Sequence, residues 1–168
     1  VSNAMPNAPV IKSNGRQHPV TIIYHKEQIL DDIVIQTYEK IIQALKEQKG
    51  DLLVFLPGSG EILRCKEKLE NSLTKELVLP LYGDLNFSLQ QQAILPDASG
   101  RRKIILSTSI AETSLTIEGI TTVIDCGLSR VNRFNTKTGL TKLETIRSTK
   151  DIADQRAGRA GRLGPGVC

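Results

Sequence analysis

The chain has 168 residues, 39% of them hydrophobic and 24% charged, with a formal net charge of +4. This is the size and composition of one soluble globular domain with a real core. No apolar run approaches a membrane span, and no signal-peptide pattern opens the chain. The charge is uneven, nine Lys/Arg against three Asp/Glu over residues 130–162, which fits either a polyanion-facing surface or a solvated basic face.

Val1–Ala4, ahead of Met5, read as a cloning scar, and residues 5–19 as an extended lead-in rich in Pro, Asn and Gly. "VTIIY" (20–24) is a short β-rich run. Val34, Tyr38, Ile41 and Leu45 at helical spacing predict a helix over 27–48, ending before Gly50. Thereafter strand and helix alternate. "DLLVFL" (51–56) is a buried strand followed by a Pro-Gly-Ser-Gly turn and a helix over 61–73. "LVLPLY" (77–82) leads into a helix over 88–95, and "RKIILST" (102–108) and "TTVIDC" (121–126) are further apolar strands.

Strands apolar on both faces and separated by helices predict a parallel sheet covered on each side, with ligands beyond the carboxyl ends of the strands. Polar clusters fall there: Gly58-Ser59-Gly60, Gly83-Asp84 and Ser107-Thr108-Ser109. Residues 129–148 alternate, turn at 136–139 and alternate again, predicting a β-hairpin, either a nucleic-acid wedge or rail or a plain surface ribbon. The three cysteines, Cys65, Cys126 and Cys168, lack metal-ligand spacing and read as reduced thiols of a cytoplasmic protein. His18 and His25 read as surface or packing residues.

"DIADQRAGRAGRLGPG" (151–166) concentrates charge further. Ser148 and Asp151 make a capping pattern, predicting a helix from Thr149 on which Gln155, Arg159 and Arg162 share one face while Arg156 points elsewhere in a structural role. Two guanidiniums on one face suit phosphate oxygens, in a triphosphate or a nucleic-acid backbone; pairing with surface carboxylates is the third possibility. A phosphate-cradling G-x-x-x-x-G-K-[ST] loop is absent from this sequence. Ser109 and Glu112 form an S-x-x-E pattern, predicting a helix N-terminus just after a strand, either a bare cap or a phosphate site.

Three segments carry a family resemblance. "QRAGRAGR" (155–162) resembles motif VI of DEAH-box superfamily 2 helicases, "STSIAETSLTIEGI" (107–120) their motif V, and "LLVFLPGSGEI" (52–62) their motif IV. "PLYGDLNFSLQQQAILP" (80–96) and "GLTKLETIRS" (139–148) resemble the bacterial HrpB branch. The resemblance implies an α/β, three-layer RecA-like fold for 20–168, the second (helicase C-terminal) domain, stopping before a final strand and leaving one sheet position unpaired. It implies ATP with Mg2+ bound mainly by a first RecA-like domain, and single-stranded nucleic acid, expected to be RNA, as partner. It assigns Arg162 as arginine finger, Arg159 as a γ-phosphate contact and Gln155 as the group orienting water or phosphate. Thr116 and Glu118 then fall on the nucleotide side, and Ser107, Thr108, Gly58 and Ser59 on the nucleic-acid side. Two departures stand out: Ser109 replaces an Asn common in eukaryotic relatives, and Leu95 lies near the position of an adenine-stacking Phe, which implies loose base selectivity. Two non-catalytic readings stay open: a nucleic-acid-binding module and a protein-interaction module.

Overall fold

The computed structural model describes residues 18–25, 32–112, 115–136 and 139–168. Residues 1–4, expected to be a cloning scar, most of the expected lead-in, residues 27–31 of the first predicted helix and the tip of the predicted hairpin lie outside the described residues.

The elements run β1 (Val20–Thr21), α1 (Ile33–Glu47), β2 (Asp51–Phe55), α2 (Ser59–Glu70), β3 (Leu77–Leu81), α3 (Phe87–Ile94) and β4 (Lys103–Ser107). They continue with β5 (Ile120–Asp125), β6 (Leu128–Asn135), β7 (Leu140–Arg147), α4 (Lys150–Ala157) and β8 (Gly166–Val167). Six strands form a sheet in the order β1-β8-β5-β2-β4-β3, every pairing parallel. This is the expected α/β, three-layer RecA-like arrangement.

The period-2 alternation of β2 sorts its side chains. Leu52, Val54 and Leu56 pack with Val34 and Ile41 of α1 and Ile62, Cys65 and Leu69 of α2. Leu53 and Phe55 face the other way, onto Ala93 of α3, Ile117 and Ala160. A strand buried on both faces favours apolar side chains at successive positions, which is why the sequence shows near-continuous apolar runs; in β4 the buried polar residues Lys103 and Ser107 fall at the two ends.

Helix starts are fixed locally. The Asp32 carboxylate accepts from the Val34 amide at 2.9 Å, and Asn86 caps α3 through the Leu89 amide at 2.9 Å. The carboxyl end of α3 uses a buried lysine: the Lys103 ammonium donates to the Ala93 and Leu95 carbonyls at 3.2 and 2.8 Å. It lies 3.8 Å from Asp51. Burial lowers the Lys103 pKa, with Asp51 opposing. Two carbonyls that α3 leaves without partners are thereby satisfied.

Three expectations change. Of the first β-rich run only Val20–Thr21 is strand, pairing with Gly166–Val167, which lie between β1 and β5. Ser109–Ala111 is a single 3-10 turn with Thr108 at its N-cap, so the expected cap by Ser109 and Glu112 does not form. Its carboxylate is held instead by Arg156. Finally, α4 is capped by Thr149, not Ser148, and ends at Ala157.

Cys65 is fully buried, and burial pushes its thiol up to about 12. The thiolate is the reactive form. Native protein at pH 8 is therefore expected to leave Cys65 unlabelled by iodoacetamide until denaturant is added, as read by peptide mass; rapid native labelling would contradict this packing.

Candidate functional site

The loops after β2, β3 and β4 meet at one end of the sheet, as expected for polar clusters at strand carboxyl ends. They line a cleft of about 210 Å³ that includes Gly58, Ser59, Gly83, Asp84, Thr108 and Ser109. Ser59 and Ser109 are exposed and Thr108 half-buried, while Gly58 is buried at the N-cap of α2. Ser107 is not part of this lining. It is fully buried, and its hydroxyl donates to the Leu81 carbonyl at 3.2 Å or the Thr108 carbonyl at 2.9 Å. The hydroxyl pair read from the sequence is thus split, with Thr108 at the cleft and Ser107 beneath it.

The far wall comes from the hairpin. Strands β6 and β7 pair antiparallel from Leu128↔Arg147 to Asn135↔Leu140, outside the main sheet. Arg130 and Leu143 reach the cleft from this ribbon. Sequence reading weighed the hairpin's arginines and lysines together and did not single out Arg130 among them.

Beneath the cleft lies Arg156, 1% exposed. Its guanidinium pairs with Asp125 at 2.6 Å and Glu112 at 2.7 Å, and donates to Ser129 Oγ at 2.8 Å, Ser148 Oγ at 3.1 Å and the Leu128 carbonyl at 3.1 Å. It also lies over the Phe55 ring, 4.9 Å from the centroid. Burial opposes its charge, but Asp125 and Glu112 outweigh that and raise its pKa. One side chain ties together the 3-10 turn, the end of β5, the root of the hairpin and α4, so its structural role is as read from the sequence.

Arg159 and Arg162 behave differently, and not as two rungs of one helix. After Ala157 the chain tightens: the Arg159 amide bonds to the Arg156 carbonyl and the Ala160 amide to the Ala157 carbonyl, each at 3.0 Å. Gly158 and Gly161 favour leaving the α conformation. The glycine at 161 also packs where a Cβ would lie 2.6 Å from the His18 carbonyl. The shared helical face of Gln155, Arg159 and Arg162 is therefore not what brings residues together. Gln155 stays exposed on the last turn of α4, while both arginines converge on the segment after the 3-10 turn. Arg159 Nη1 donates to the Leu115 carbonyl at 2.5 Å, and Arg162 Nη1 to Thr116 Oγ1 at 3.2 Å.

Neither of these arginines pairs with a carboxylate among the described residues. Arg159 is 6% exposed, yet its Nη2 is buried without a hydrogen-bond partner among the described residues. Burial lowers its pKa, and Arg162 pushes the same way against a weaker pull from Glu112. Arg162 is exposed. Leu53, Ile117 and Ile120 flank the two guanidiniums. Thr116 joins this pair, but Glu118 does not. It sits exposed in the turn before β5, where its charge acts on Lys103. Leu95, exposed at the end of α3, offers an aliphatic and not an aromatic surface.

A family model, the helicase conserved C-terminal domain, matches residues 26–164. The chain belongs to this family. Within it, the Escherichia coli K12 ATP-dependent RNA helicase HrpB is 48% identical over 167 residues, 97% of this chain and 20% of that protein. The ATP-dependent RNA helicase HrpA of Borreliella burgdorferi is 41% identical over 167 residues, 96% of this chain and 20% of that protein. The crystal structure of the Escherichia coli DEAH/RHA helicase HrpB matches with a TM-score of 0.90 at 46% identity, over 99% of this chain and 21% of that one. This helicase C-terminal domain therefore spans about a fifth of the length of those relatives.

Proposed function

We propose that this helicase C-terminal domain is the second RecA-like half of an ATP-dependent DEAH-box helicase of the cytoplasm that couples NTP hydrolysis to movement along single-stranded nucleic acid, or to unwinding of a duplex, with RNA as the substrate. The observation that carries the reading is Arg159: nearly buried, in no ion pair among the described residues, and with one guanidinium nitrogen that has no hydrogen-bond partner among them. A buried charge in that state is costly unless an anion completes it.

Arg159 and Arg162, with the Thr116 hydroxyl, form a donor-rich corner that fits phosphate oxygens and does not fit a hydrated cation. Mg2+ in this reading is held by the first RecA-like domain, the partner that docks against the corner. Bound ATP supplies the transferable γ-phosphoryl group. Arg162, exposed and free to shift, serves as the finger that stabilises charge developing during transfer, and Arg159, fixed on the Leu115 carbonyl, orients the terminal phosphate. Gln155 and Glu118 come near the nucleotide only if docking moves them. Without the first domain this chain is expected to be inactive.

On the nucleic-acid side, Thr108, Ser59 and the Gly58 backbone offer hydroxyls and amides at the cleft. Such groups suit phosphates and carry no base readout, as tracking requires. Thr108→Ala in the full-length protein is expected to raise the RNA concentration for half-maximal ATPase stimulation about tenfold, the scale of one hydrogen bond to a charged group. An unchanged half-maximal concentration would remove Thr108 from the interface. The deciding experiment compares ATP hydrolysis by the full-length protein with RNA and DNA of matched sequence. Stimulation by RNA above DNA supports the reading, and the absence of any ATP hydrolysis overturns it in favour of a binding module.

A further inference from the structure

The Arg130 guanidinium lies directly on the backbone of Gly58, so close that a Cβ there would collide with Nη1. It is held by Glu61, on the first turn of α2, through one nitrogen: Nη2 reaches both carboxylate oxygens, at 3.1 and 3.2 Å. The strongest arginine–carboxylate pairs use two nitrogens side by side at about 2.7–2.9 Å. Here Nε and Nη1 make no hydrogen bond among the described residues, and 37% of the Arg130 side chain is exposed. A pair of this geometry and exposure is weak. Glu61, if released, stays at the amino end of a helix, where a negative charge is favoured. Asp84 also lines the cleft but makes no ion pair with Arg130.

We propose that the Arg130–Glu61 pair is an exchangeable latch over the cleft. Glu61 parks the guanidinium on Gly58 in the unliganded domain, and a phosphate of single-stranded RNA takes it over through the nitrogens Glu61 leaves unused. Glu61 is then a built-in competitor that lowers RNA affinity and keeps the cleft from binding polyanions indiscriminately. The proposal rests on the reading of this cleft as the nucleic-acid side.

The test is a double-mutant cycle in the full-length protein, with fluorescence anisotropy of a labelled oligouridylate over a salt series. Glu61→Gln is expected to tighten binding about two- to fivefold, the scale of one exposed ion pair. Arg130→Gln is expected to weaken it about tenfold and flatten the log–log salt slope by about 0.7, as for one lost phosphate contact on a single strand. With Arg130 already replaced, Glu61→Gln should change affinity by less than about 1.5-fold, since coupled neighbours do not add. Equal tightening in both backgrounds would mean simple field repulsion and would overturn the latch, as would no response to either change. If the unmodified protein binds no oligouridylate even at low salt, the nucleic-acid reading falls and takes the latch with it. Thermal unfolding of each variant separates these outcomes from loss of fold.

Discussion

Replacing Arg156 with alanine is expected to destabilise the domain by about 3–5 kcal/mol, the cost of breaking a buried ion pair by removing one partner. The two carboxylates left behind, Glu112 and Asp125, are 13% and 11% exposed and would face each other's surroundings without a cation. Ser129 and the Leu128 carbonyl would lose a partner at the same time. Domains of this size are stable by about 5–15 kcal/mol, so the loss is a large part of the whole. Urea unfolding followed by circular dichroism measures it. Neutralising the partners in the same chain, with Glu112→Gln and Asp125→Asn, should recover part of the loss because the stranded charges are gone. A change below about 1 kcal/mol in Arg156→Ala, the level of a surface pair, would show that the network contributes little.

The opposite pattern is expected a few residues on. Arg162→Ala in the full-length protein should lower kcat for ATP hydrolysis by about 10³- to 10⁵-fold, the range seen when an arginine finger is removed, with the unfolding midpoint unchanged because the side chain is exposed. Arg159→Met should also abolish turnover, yet leave stability equal or slightly higher. It removes a buried charge that makes no ion pair among the described residues and feels only a weak pull from Glu112, and it keeps most of the side-chain volume. Stability held in reserve against function is the expected signature of a half-site awaiting its ligand. Wild-type turnover in either variant would end the assignment, and a marked loss of stability in Arg159→Met would mean the guanidinium serves packing alone.

These two experiments separate three arginines that look alike in "QRAGRAGR". Helical spacing correctly set Arg156 apart from the other two, but for an incomplete reason. Its partners are 44 and 31 residues away, on the 3-10 turn and at the end of β5. The grouping of Arg159 with Arg162 also held, although the helix meant to align them stops at Ala157 and both arginines instead reach the Leu115–Thr116 segment. Ser107 and Thr108 were indistinguishable as neighbouring hydroxyls; in the fold one belongs to the sheet interior and the other to the cleft. Ser109 and Glu112 had the spacing of a capping box, but Arg156 took the carboxylate, since a buried guanidinium outbids a backbone amide for it.

The sequence by itself determined the parallel sheet, the helices on its two faces and the end at which polar loops gather. Those features follow from periodicity, and periodicity is written in residues a few positions apart. Only the tertiary structure decided which guanidinium is neutralised, which is left short of a partner and which rests on Gly58. Charges and hydrogen-bonding groups pair with whatever the fold brings within a few ångströms: Glu61 for Arg130, Glu112 and Asp125 for Arg156 and the Leu115 carbonyl for Arg159 lie 31 to 69 residues away in the chain.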